Sequence, residues 1–228
     1  MSTIRLSRVT RADASDLIVA NRASQEYHRP WIASFTDQAG FDTWFARGLT
    51  GPNVGLVARE ERSNEIVGVI NLNEIIAGAF QSAYLGYYGM SSFSRKGLMT
   101  EAMRAAIAYA FGDLGLHRLE ANIQPENIAS IALVRRLGFQ REGFSPRYLR
   151  INGEWRDHER WALLADAPCA GHSLAPRDRS ARFIGLVWRD EDNLLRPVDS
   201  LMGMASVVPD LGMRLRGDMD ATVTPRRH

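Results

Sequence analysis

The residues with the clearest chemical potential lie between Phe93 and Ala102, where Arg95 and Lys96 precede Gly97. Lys96 is the only lysine in the chain. A glycine lets backbone N–H groups approach an anion closely, and the first turn of a helix offers unpaired N–H groups and a partial positive charge. The two cations would add charge-assisted hydrogen bonds. The stretch is therefore typical of a phosphate-binding turn, although an ordinary basic turn between a strand and a helix fits it equally well.

A second set of polar residues lies between positions 118 and 130. From 118 to 124 polar and apolar residues alternate, which indicates a strand with one polar face, and Glu120 is on that face. Such a face in the middle of the chain must meet water, a partner or a cleft. Asn127 then stands where a helix N-cap is expected, with Ser130 in the first helical turn. Taken alone, these two residues fit a structural role better than a chemical one.

Apolar periodicity and turn signals predict the elements that would hold these residues. A strand at 83–88 leads into the basic turn, and a helix follows from 98 to 111. The other strands are predicted at 4–9, 54–60, 66–73, 117–124, 142–151 and 154–164, the other helices at 10–21, 36–48 and 128–137, and an irregular aromatic segment at 25–35. This order mixes hairpins with a strand–helix–strand crossover. It indicates an α/β fold with a mixed, mostly antiparallel sheet and helices on both faces.

The crossover would bring the two sets of polar residues together. If the strands at 83–88 and 117–124 are parallel neighbours, the turns that follow them open at the same edge of the sheet. Crevices outside the carboxyl ends of parallel strands are where α/β proteins bind ligands. Two helix N-termini, the Asn127 amide, the Ser130 hydroxyl and the Glu120 carboxylate would then converge on one site.

Composition narrows the class of protein. The chain has 228 residues, of which 45% are hydrophobic and 24% charged, enough for one well-formed core. A net charge of +2 gives no strong footprint for nucleic acid or a membrane surface. A single cysteine, Cys169, excludes an internal disulfide framework and a cysteine-based zinc site. The motifs of serine hydrolases, paired-histidine metal sites and Walker-type loops do not occur, so hydrolase and metal functions are not favoured.

The two ends of the sequence differ in character. The first nine residues are polar and alternating rather than signal-like, and no apolar run could span a bilayer, so we expect a cytoplasmic, soluble protein that is a monomer or homodimer. Periodicity is lost after residue 165. We therefore predict a catalytic or binding domain at 1–167 and, at 168–228, a linker and C-terminal extension of unknown role with a short strand at 183–188.

Four segments carry a resemblance to a known family. They are Tyr84-Leu-Gly-Tyr87, Lys96-Gly-Leu-Met99, the stretch from Asn127 to Phe139, and Asn152-Gly-Glu-Trp-Arg-Asp-His158. Together with the order of elements, they make residues 4–165 resemble the GNAT acetyltransferase superfamily, and within it the ribosomal-protein-alanine N-acetyltransferases. The resemblance implies the GNAT fold and direct transfer of an acetyl group from acetyl-CoA to an amine, such as the N-terminal α-amine of a ribosomal protein.

The resemblance also implies which residues hold acetyl-CoA. The pyrophosphate turn of the family falls on residues 94–99, where Ser94 and Met99 differ from the usual superfamily residues. The end of the preceding strand matches the splayed edge along which pantetheine lies, and Asn127 matches an asparagine that contacts the cofactor. The implied cofactor-binding residues are Gly89, Met90, Ser91, Arg95, Lys96, Gly97, Leu98, Met99 and Asn127.

The catalytic assignment concerns two residues. Ser130 matches a serine proposed in relatives as the acid that protonates the leaving thiolate. An amine attacks a thioester only in its neutral form, so a base or a water chain must remove a proton. We choose Glu120 as that base because it lies on the polar strand face that leads to Asn127; Glu74, His158 and ordered water are alternatives. Backbone N–H groups of the splayed strand would stabilise the tetrahedral oxyanion.

Two other functions remain open at this point. The same fold could acetylate a small amine, such as an antibiotic or a polyamine, or the chain could be a non-catalytic acetyl-CoA-binding or interaction module. An open acceptor groove would favour a peptide, whereas a closed acidic pocket would favour a polyamine. The fold by itself cannot name the acceptor.

Overall fold

A computed structural model describes residues 4–166 and two short segments, 187–189 and 195–197. The strands are β1 (Ile4–Arg8), β2 (Val54–Glu60), β3 (Ile66–Ile76), β4 (Ser82–Gly89), β5 (Arg118–Ile123), β6 (Gln140–Ile151), β7 (Glu154–Leu164), β8 (Val187–Arg189) and β9 (Leu195–Pro197). The α-helices are α1 (Ala14–Ala23), α2 (Gln25–His28), α3 (Gln38–Thr50), α4 (Leu98–Gly112) and α5 (Ile128–Arg136), with short 3₁₀ turns at Arg11–Asp13 and Ser91–Phe93.

Seven strands form one sheet in the order β1-β2-β3-β4-β5-β7-β6. Only the β4–β5 pair is parallel, because α4 carries the chain over the sheet between these two strands, and the other pairs are antiparallel. The predicted mixed, mostly antiparallel sheet is therefore confirmed. In the part of the chain that the structure describes, no helix is both long enough and apolar enough to cross a membrane.

Helices cover both faces of the sheet, as predicted. Gly55 of β2 closely approaches the Trp44 ring of α3. On β3, Gly68, which pairs with Ala58, closely approaches Met99 of α4. Residues 55 and 58 are an odd number of positions apart on one strand, so these two contacts lie on opposite faces.

The local signals in the sequence place most turns correctly. The Asp37 carboxylate accepts a hydrogen bond from the Gly40 N–H at 2.7 Å and caps α3. Asn152 and Gly153 both have positive φ, 50° and 87°, as a two-residue hairpin turn requires. The segment 25–35, predicted to be irregular, contains the short helix α2, so that prediction is wrong over four residues.

A buried ion pair fastens the start of α1 to the sheet. Arg59, only 7% exposed, donates to Asp13 at 2.8 Å and to Asp16 at 2.9 Å. Burial alone would raise the pKa of Asp13, but hydrogen bonds from Arg59 and Thr10 hold it below its usual value. The Thr10 N–H donates to the Asp13 carboxylate at 2.8 Å, so the same carboxylate also caps the start of the turn.

The C-terminal region is described only at β8 and β9, which pair antiparallel. The strand predicted at 183–188 is present at Val187–Arg189, and positions 183–186 lie outside the described residues. The boundary predicted between 167 and 168 also lies outside them and stays a prediction.

Candidate active site

The parallel strands β4 and β5 pair only at their beginnings and then diverge. Their register consists of three residue pairs, Ser82 with Arg118, Ala83 with Leu119 and Tyr84 with Glu120. Beyond these pairs, β4 continues to Gly89 against β3, and β5 continues to Ile123 against β7. The gap between residues 85–89 and 121–123, which we call the wedge, therefore has unpaired backbone on both sides. The predicted splayed edge is present.

The basic turn lies at the end of β4 and opens α4, as predicted. Gly97 is the N-cap of α4 with φ of 80°, and Arg95 also has positive φ, 61°. A Cβ at Gly97 would meet no atom within 4 Å, so the space beside the backbone is open. The Thr100 and Glu101 N–H groups return to the Gly97 carbonyl at 2.9 and 3.3 Å. The N–H groups ahead of them start the helix and are free to face an anion.

The two cations of the turn, Arg95 and Lys96, are both exposed. The Lys96 Nζ lies 5.1 Å from the centre of the Phe93 ring, which is buried. This cation–π contact holds the ammonium over the turn. The turn fits a diphosphate group, because it combines an open glycine at a helix start with two exposed cations immediately before it.

Met99 is explained by two glycines on neighbouring strands. Gly68 and Gly89 are register partners on β3 and β4. A Cβ at Gly68 would lie 2.5 Å from the Met99 sulfur, and one at Gly89 would lie 2.9 Å from the Met99 Cγ. The absence of side chains on both strands therefore makes room for a methionine at this position. This contact seats the first turn of α4 on the sheet.

Backbone donors of β4 point into the wedge. The Met90 N–H donates to the Val67 carbonyl at 2.8 Å and so faces β3. Neighbouring residues of a strand alternate in direction, which turns the N–H groups of Gly89 and Tyr87 towards the wedge. The Ser91 N–H, by contrast, is occupied, since it donates to the buried Ser24 hydroxyl at 3.0 Å. Of the implied residues 89–91, Gly89 is therefore the one that can offer its N–H to a ligand.

Residues 28–31 span the open end of the wedge. The His28 Nε2–H donates to the Gly89 carbonyl at 2.9 Å, and its Nδ1 accepts from the Ser34 hydroxyl at 3.0 Å. The Trp31 carbonyl accepts from Gln124, which follows β5, at 3.5 Å. Asn152 of the β6–β7 turn donates to the Arg29 carbonyl at 3.0 Å. Burial lowers the pKa of His28 against the opposing effect of the Gly89 contact, so the neutral ring is favoured.

Ser130 and Asn127 lie together at the start of α5. The Asn127 side-chain oxygen accepts from the Ser130 N–H at 3.1 Å, which confirms the predicted N-cap. The Ser130 Oγ lies 2.5 Å from the Tyr87 hydroxyl, which comes from β4 across the wedge. Burial raises the pKa of Tyr87 to about 12, against a smaller opposing effect of the Ser130 contact. The phenol therefore stays protonated at any physiological pH.

Glu120 lies in an ion-pair cluster. It pairs with Tyr84, three positions from Tyr87, so its side chain is on the face of the sheet opposite the Tyr87–Ser130 contact and, contrary to the expectation from the sequence, does not converge with Ser130. Arg118 donates to Glu120 at 2.8 Å and also pairs with Glu142. Those hydrogen bonds, that with Glu142 above all, raise the pKa of Arg118 despite its partial burial. The cluster leaves the Glu120 side chain 27% exposed, at the last residue pair before the wedge opens. The catalytic roles of Glu120 and Ser130 stay predictions.

Of the alternative bases, Glu74 lies on β3, and His158 lies on β7 next to Glu159, the register partner of Ile123. Glu74 is exposed at the end of the sheet where β4 begins, and its N–H donates to Asn53 at 3.0 Å. His158 is 3% exposed, and its Nδ1–H donates to the Arg156 carbonyl at 3.0 Å. Burial lowers the pKa of His158. Sequence reasoning missed Tyr87 and His28, whose partners are 43 and 61 positions away.

The site combines one diverging pair of parallel strands with a glycine turn at the start of a helix. The family described as "Acetyltransferase (GNAT) domain" matches residues 3–140, so the chain belongs to the GNAT acetyltransferases. Members of this family use acetyl-CoA as the acetyl donor. The predicted family and fold are confirmed.

Three relatives illustrate the range of the family around this chain. The [ribosomal protein uS5]-alanine N-acetyltransferase of Escherichia coli is 44% identical over 109 residues, 48% of this chain and 55% of the relative. The structure of Mycobacterium smegmatis RimJ in complex with CoA-disulfide is 29% identical with a TM-score of 0.64, covering 71% of this chain and 82% of that one. Spermidine N(1)-acetyltransferase of E. coli is 34% identical over 80 residues, 35% of this chain and 43% of the relative. The chain thus spans about half the length of the curated relatives it matches.

Proposed function

We propose that this chain transfers the acetyl group of acetyl-CoA directly to a protein N-terminal α-amine, such as that of a ribosomal protein, in the cytoplasm. The observation that carries the proposal is the wedge between β4 and β5, because it offers unpaired strand backbone beside an anion-binding turn. The similarity to ribosomal-protein acetyltransferases supports this choice of acceptor.

The donor would be held by two parts of the chain. The pyrophosphate would bind the turn from Arg95 to Met99 through the first N–H groups of α4 and the two cations. The pantetheine arm would lie in the wedge and pair with β4 like an added strand. Asn127 would contact the donor from the start of α5 while it also caps that helix.

The acceptor amine must be neutral when it attacks. A protein α-amine has a pKa of about 7.7–8.0, so roughly a tenth of it is neutral at pH 7. A modest base is therefore enough, and Glu120 would take the proton directly or through water. The amines of a polyamine resemble lysine, with a pKa of about 10.4, and would need much more help.

The remaining steps use groups that line the wedge. The Gly89 and Tyr87 N–H groups would stabilise the oxyanion that forms on the acetyl carbon. When the carbon–sulfur bond breaks, the electron pair stays on sulfur, and Ser130 would donate to the thiolate. Glu120 would release to solvent the proton that it takes from the nitrogen, and sulfur takes up one proton, so Glu120 and Ser130 both end as they began.

Acetylation of a small amine is the second candidate, because a spermidine acetyltransferase is among the relatives. A cavity of about 240 Å³ between α3 and the sheet is lined by the Glu74 carboxylate and also by the Arg47 guanidinium. A pocket with both charges lacks the excess negative charge that would attract a polyamine. This cavity includes no residue of the wedge, so its lining does not decide the acceptor, and the ribosomal-protein relatives are what support the peptide.

A panel of peptides with different N-terminal residues, compared with spermidine and spermine, tests the proposal. We expect release of free CoA and a mass shift of one acetyl group on a subset of the peptides, with little turnover of the polyamines. Polyamine turnover alone would favour the second candidate. A chain that binds acetyl-CoA but acetylates nothing would favour the non-catalytic module.

The base is tested separately with Glu120→Gln and Glu142→Gln. Both variants remove a carboxylate partner of Arg118, but only the first removes the proposed base. Glu120→Gln should lower kcat by about a hundredfold at pH 7, and less as the pH rises and the amine becomes neutral unaided. Equal kcat values for the two variants would leave the role to water or to another residue.

A further inference from the structure

We propose that Tyr87 is the positioning residue of Ser130: its phenol donates to the Ser130 hydroxyl and thereby aims the serine's own hydrogen at the thiolate that leaves the acetyl group. This inference rests on the proposed acetyl transfer. It adds a residue from β4 to a function that sequence reasoning placed on α5 alone.

The geometry around Ser130 is unusually restrictive for a serine in the first turn of a helix. Its N–H is held by the Asn127 side chain at 3.1 Å, and its Oγ lies 2.5 Å from the Tyr87 hydroxyl. The Tyr87 hydroxyl also lies 3.5 Å from the Ser130 carbonyl. Tyr87 belongs to the part of β4 beyond the last pair with β5, so this contact crosses the wedge.

The direction of the hydrogen bond follows from the chemistry of the two hydroxyls. A phenol is a stronger acid than an aliphatic alcohol, so Tyr87 is the better donor and the serine oxygen the better acceptor. A serine hydroxyl that accepts at Oγ still has its own hydrogen to donate. Because the accepted bond fixes one lone pair, the remaining hydrogen can turn only to a few directions.

Tyr87 orients the serine without giving up its proton. Its pKa is raised to about 12 by burial. A thiol has a pKa of about 8.5, so neither the phenol nor the serine hydroxyl, which is a weaker acid still, gives its proton up to the thiolate. Ser130 stabilises the thiolate as a hydrogen-bond donor, and the proton that sulfur finally takes balances the one that the amine releases. Tyr87 therefore begins and ends the reaction as a neutral phenol.

A buried phenol needs a hydrogen-bond partner in any case, so the test must separate positioning from mere packing. Tyr87→Phe should lower kcat by about tenfold or more and leave the KM for acetyl-CoA unchanged. Ser130→Ala should lower kcat by about a hundredfold. The double variant should be no slower than Ser130→Ala, because Tyr87 acts only through Ser130.

Tyr109→Phe is the matched control. Tyr109 is a phenol on α4 whose hydroxyl accepts from Arg8 at 2.6 Å, on the side of the sheet edge formed by β1. Removing its hydroxyl breaks the two hydrogen bonds from the Arg8 guanidinium, which are remote from the wedge, so kcat should stay at the wild-type value. Multiplicative losses in the Tyr87 and Ser130 double variant would overturn the positioning role.

Two further measurements do not depend on Tyr87→Phe turning over substrate. Urea unfolding without acetyl-CoA compares the two single variants with the double variant. Because both single variants break the same Tyr87–Ser130 hydrogen bond, the double variant should shift the midpoint by less than the sum of the two single shifts. Additive shifts would contradict the contact. With 3,5-difluorotyrosine at position 87, whose phenol is more acidic, kcat should fall at alkaline pH where the wild type stays level.

The outcomes separate this inference from the proposed function. A wild-type chain that acetylates no acceptor would overturn the proposed function and this assignment with it. A wild-type chain that acetylates peptides, together with a Tyr87→Phe variant of the same kcat, would overturn the positioning role alone. Level alkaline profiles for both wild type and the difluorotyrosine protein would do the same.

Discussion

Replacing Gly89 with alanine tests whether Met99 fixes the start of α4 on the sheet. The added Cβ would lie 2.9 Å from the Met99 Cγ, and its next contacts, the Met99 sulfur and the Val67 carbonyl, would be at 3.6 and 3.7 Å. The only tight contact is thus with one flexible side chain. Since modest overpacking costs about 1–3 kcal/mol, we expect Gly89→Ala to lower the free energy of unfolding by about 1–2 kcal/mol.

Met99→Ala should relieve this clash. Full burial of methionine makes truncation to alanine cost about 2–5 kcal/mol, and Met99 is half-buried, so the single variant should lose about 1–2 kcal/mol. In the Met99→Ala background, adding Gly89→Ala should cost less than about 0.5 kcal/mol, because the atom that it strikes is gone. The two changes would then be clearly non-additive.

Gly68→Ala is the matched control on the facing strand. Its Cβ would lie 2.5 Å from the Met99 sulfur and also 2.6 Å from the Tyr88 carbonyl oxygen. Met99→Ala removes the first contact but leaves the second, which is with backbone that cannot move aside. Gly68→Ala should therefore stay destabilising in both backgrounds, by about 2 kcal/mol or more.

Urea unfolding followed by tryptophan fluorescence measures all five variants with one assay. Equal slopes with denaturant would show that the midpoints report stability rather than a change in the unfolded chain. If Gly89→Ala costs as much in the Met99→Ala background as in the wild type, Met99 is not what the glycine accommodates. The reasoning about the start of α4 would then be refuted.

Four other predictions concern binding and stability. Gly97→Asp and Gly97→Asn both place a side chain at the same positive φ of 80°, so a difference between them reports the added charge. Acetyl-CoA affinity, measured by thermal shift, should be about tenfold or more lower for Asp than for Asn, and equal losses would argue against a pyrophosphate there. Arg59→Met removes the cation from the Asp13 carboxylate, whose side chain is only 14% exposed, and should cost about 3 kcal/mol in urea unfolding; a loss below about 1 kcal/mol would contradict this. Burial lowers the pKa of His28 and of His158, so the unfolded chain binds more protons, and the stability should fall as the pH drops below about 6.5 through the lower folded values; a level stability curve from about pH 7 to 5 would contradict this. Deleting 172–228 should leave acetyl-CoA binding by calorimetry unchanged, whereas loss of soluble folded protein would show that the tail completes the core.

The parts of the site that depend on local sequence were predictable. Gly97 opens α4 with positive φ, and Asn127 caps α5, because both features follow from a residue and its neighbours within three or four positions. The polar face from 118 to 124 also followed from alternation alone. The ion pairs on this face were not predictable, because Arg118 contacts Glu120 on its own strand and also Glu142 on β6.

The parts that depend on distant residues were not predictable. The Tyr87–Ser130 and His28–Gly89 hydrogen bonds join residues 43 and 61 positions apart, and no motif indicates that either pair is in contact. Met99 looked like a departure from the superfamily, and its explanation needs two glycines on two other strands. These contacts depend on the register of the sheet, which the sequence pattern determines only in part.

The short β4–β5 pairing also makes the sheet two halves joined along a seam. Three residue pairs join the two halves at one end, and the hydrogen bonds of His28, Tyr87 and Gln124 connect them farther along. A molecule that pairs with β4 in the wedge would add hydrogen bonds between the two halves. Binding of such a molecule should therefore slow the amide exchange of Gly89 and of residues 121–123, including groups that it does not contact, and so make the whole sheet more rigid.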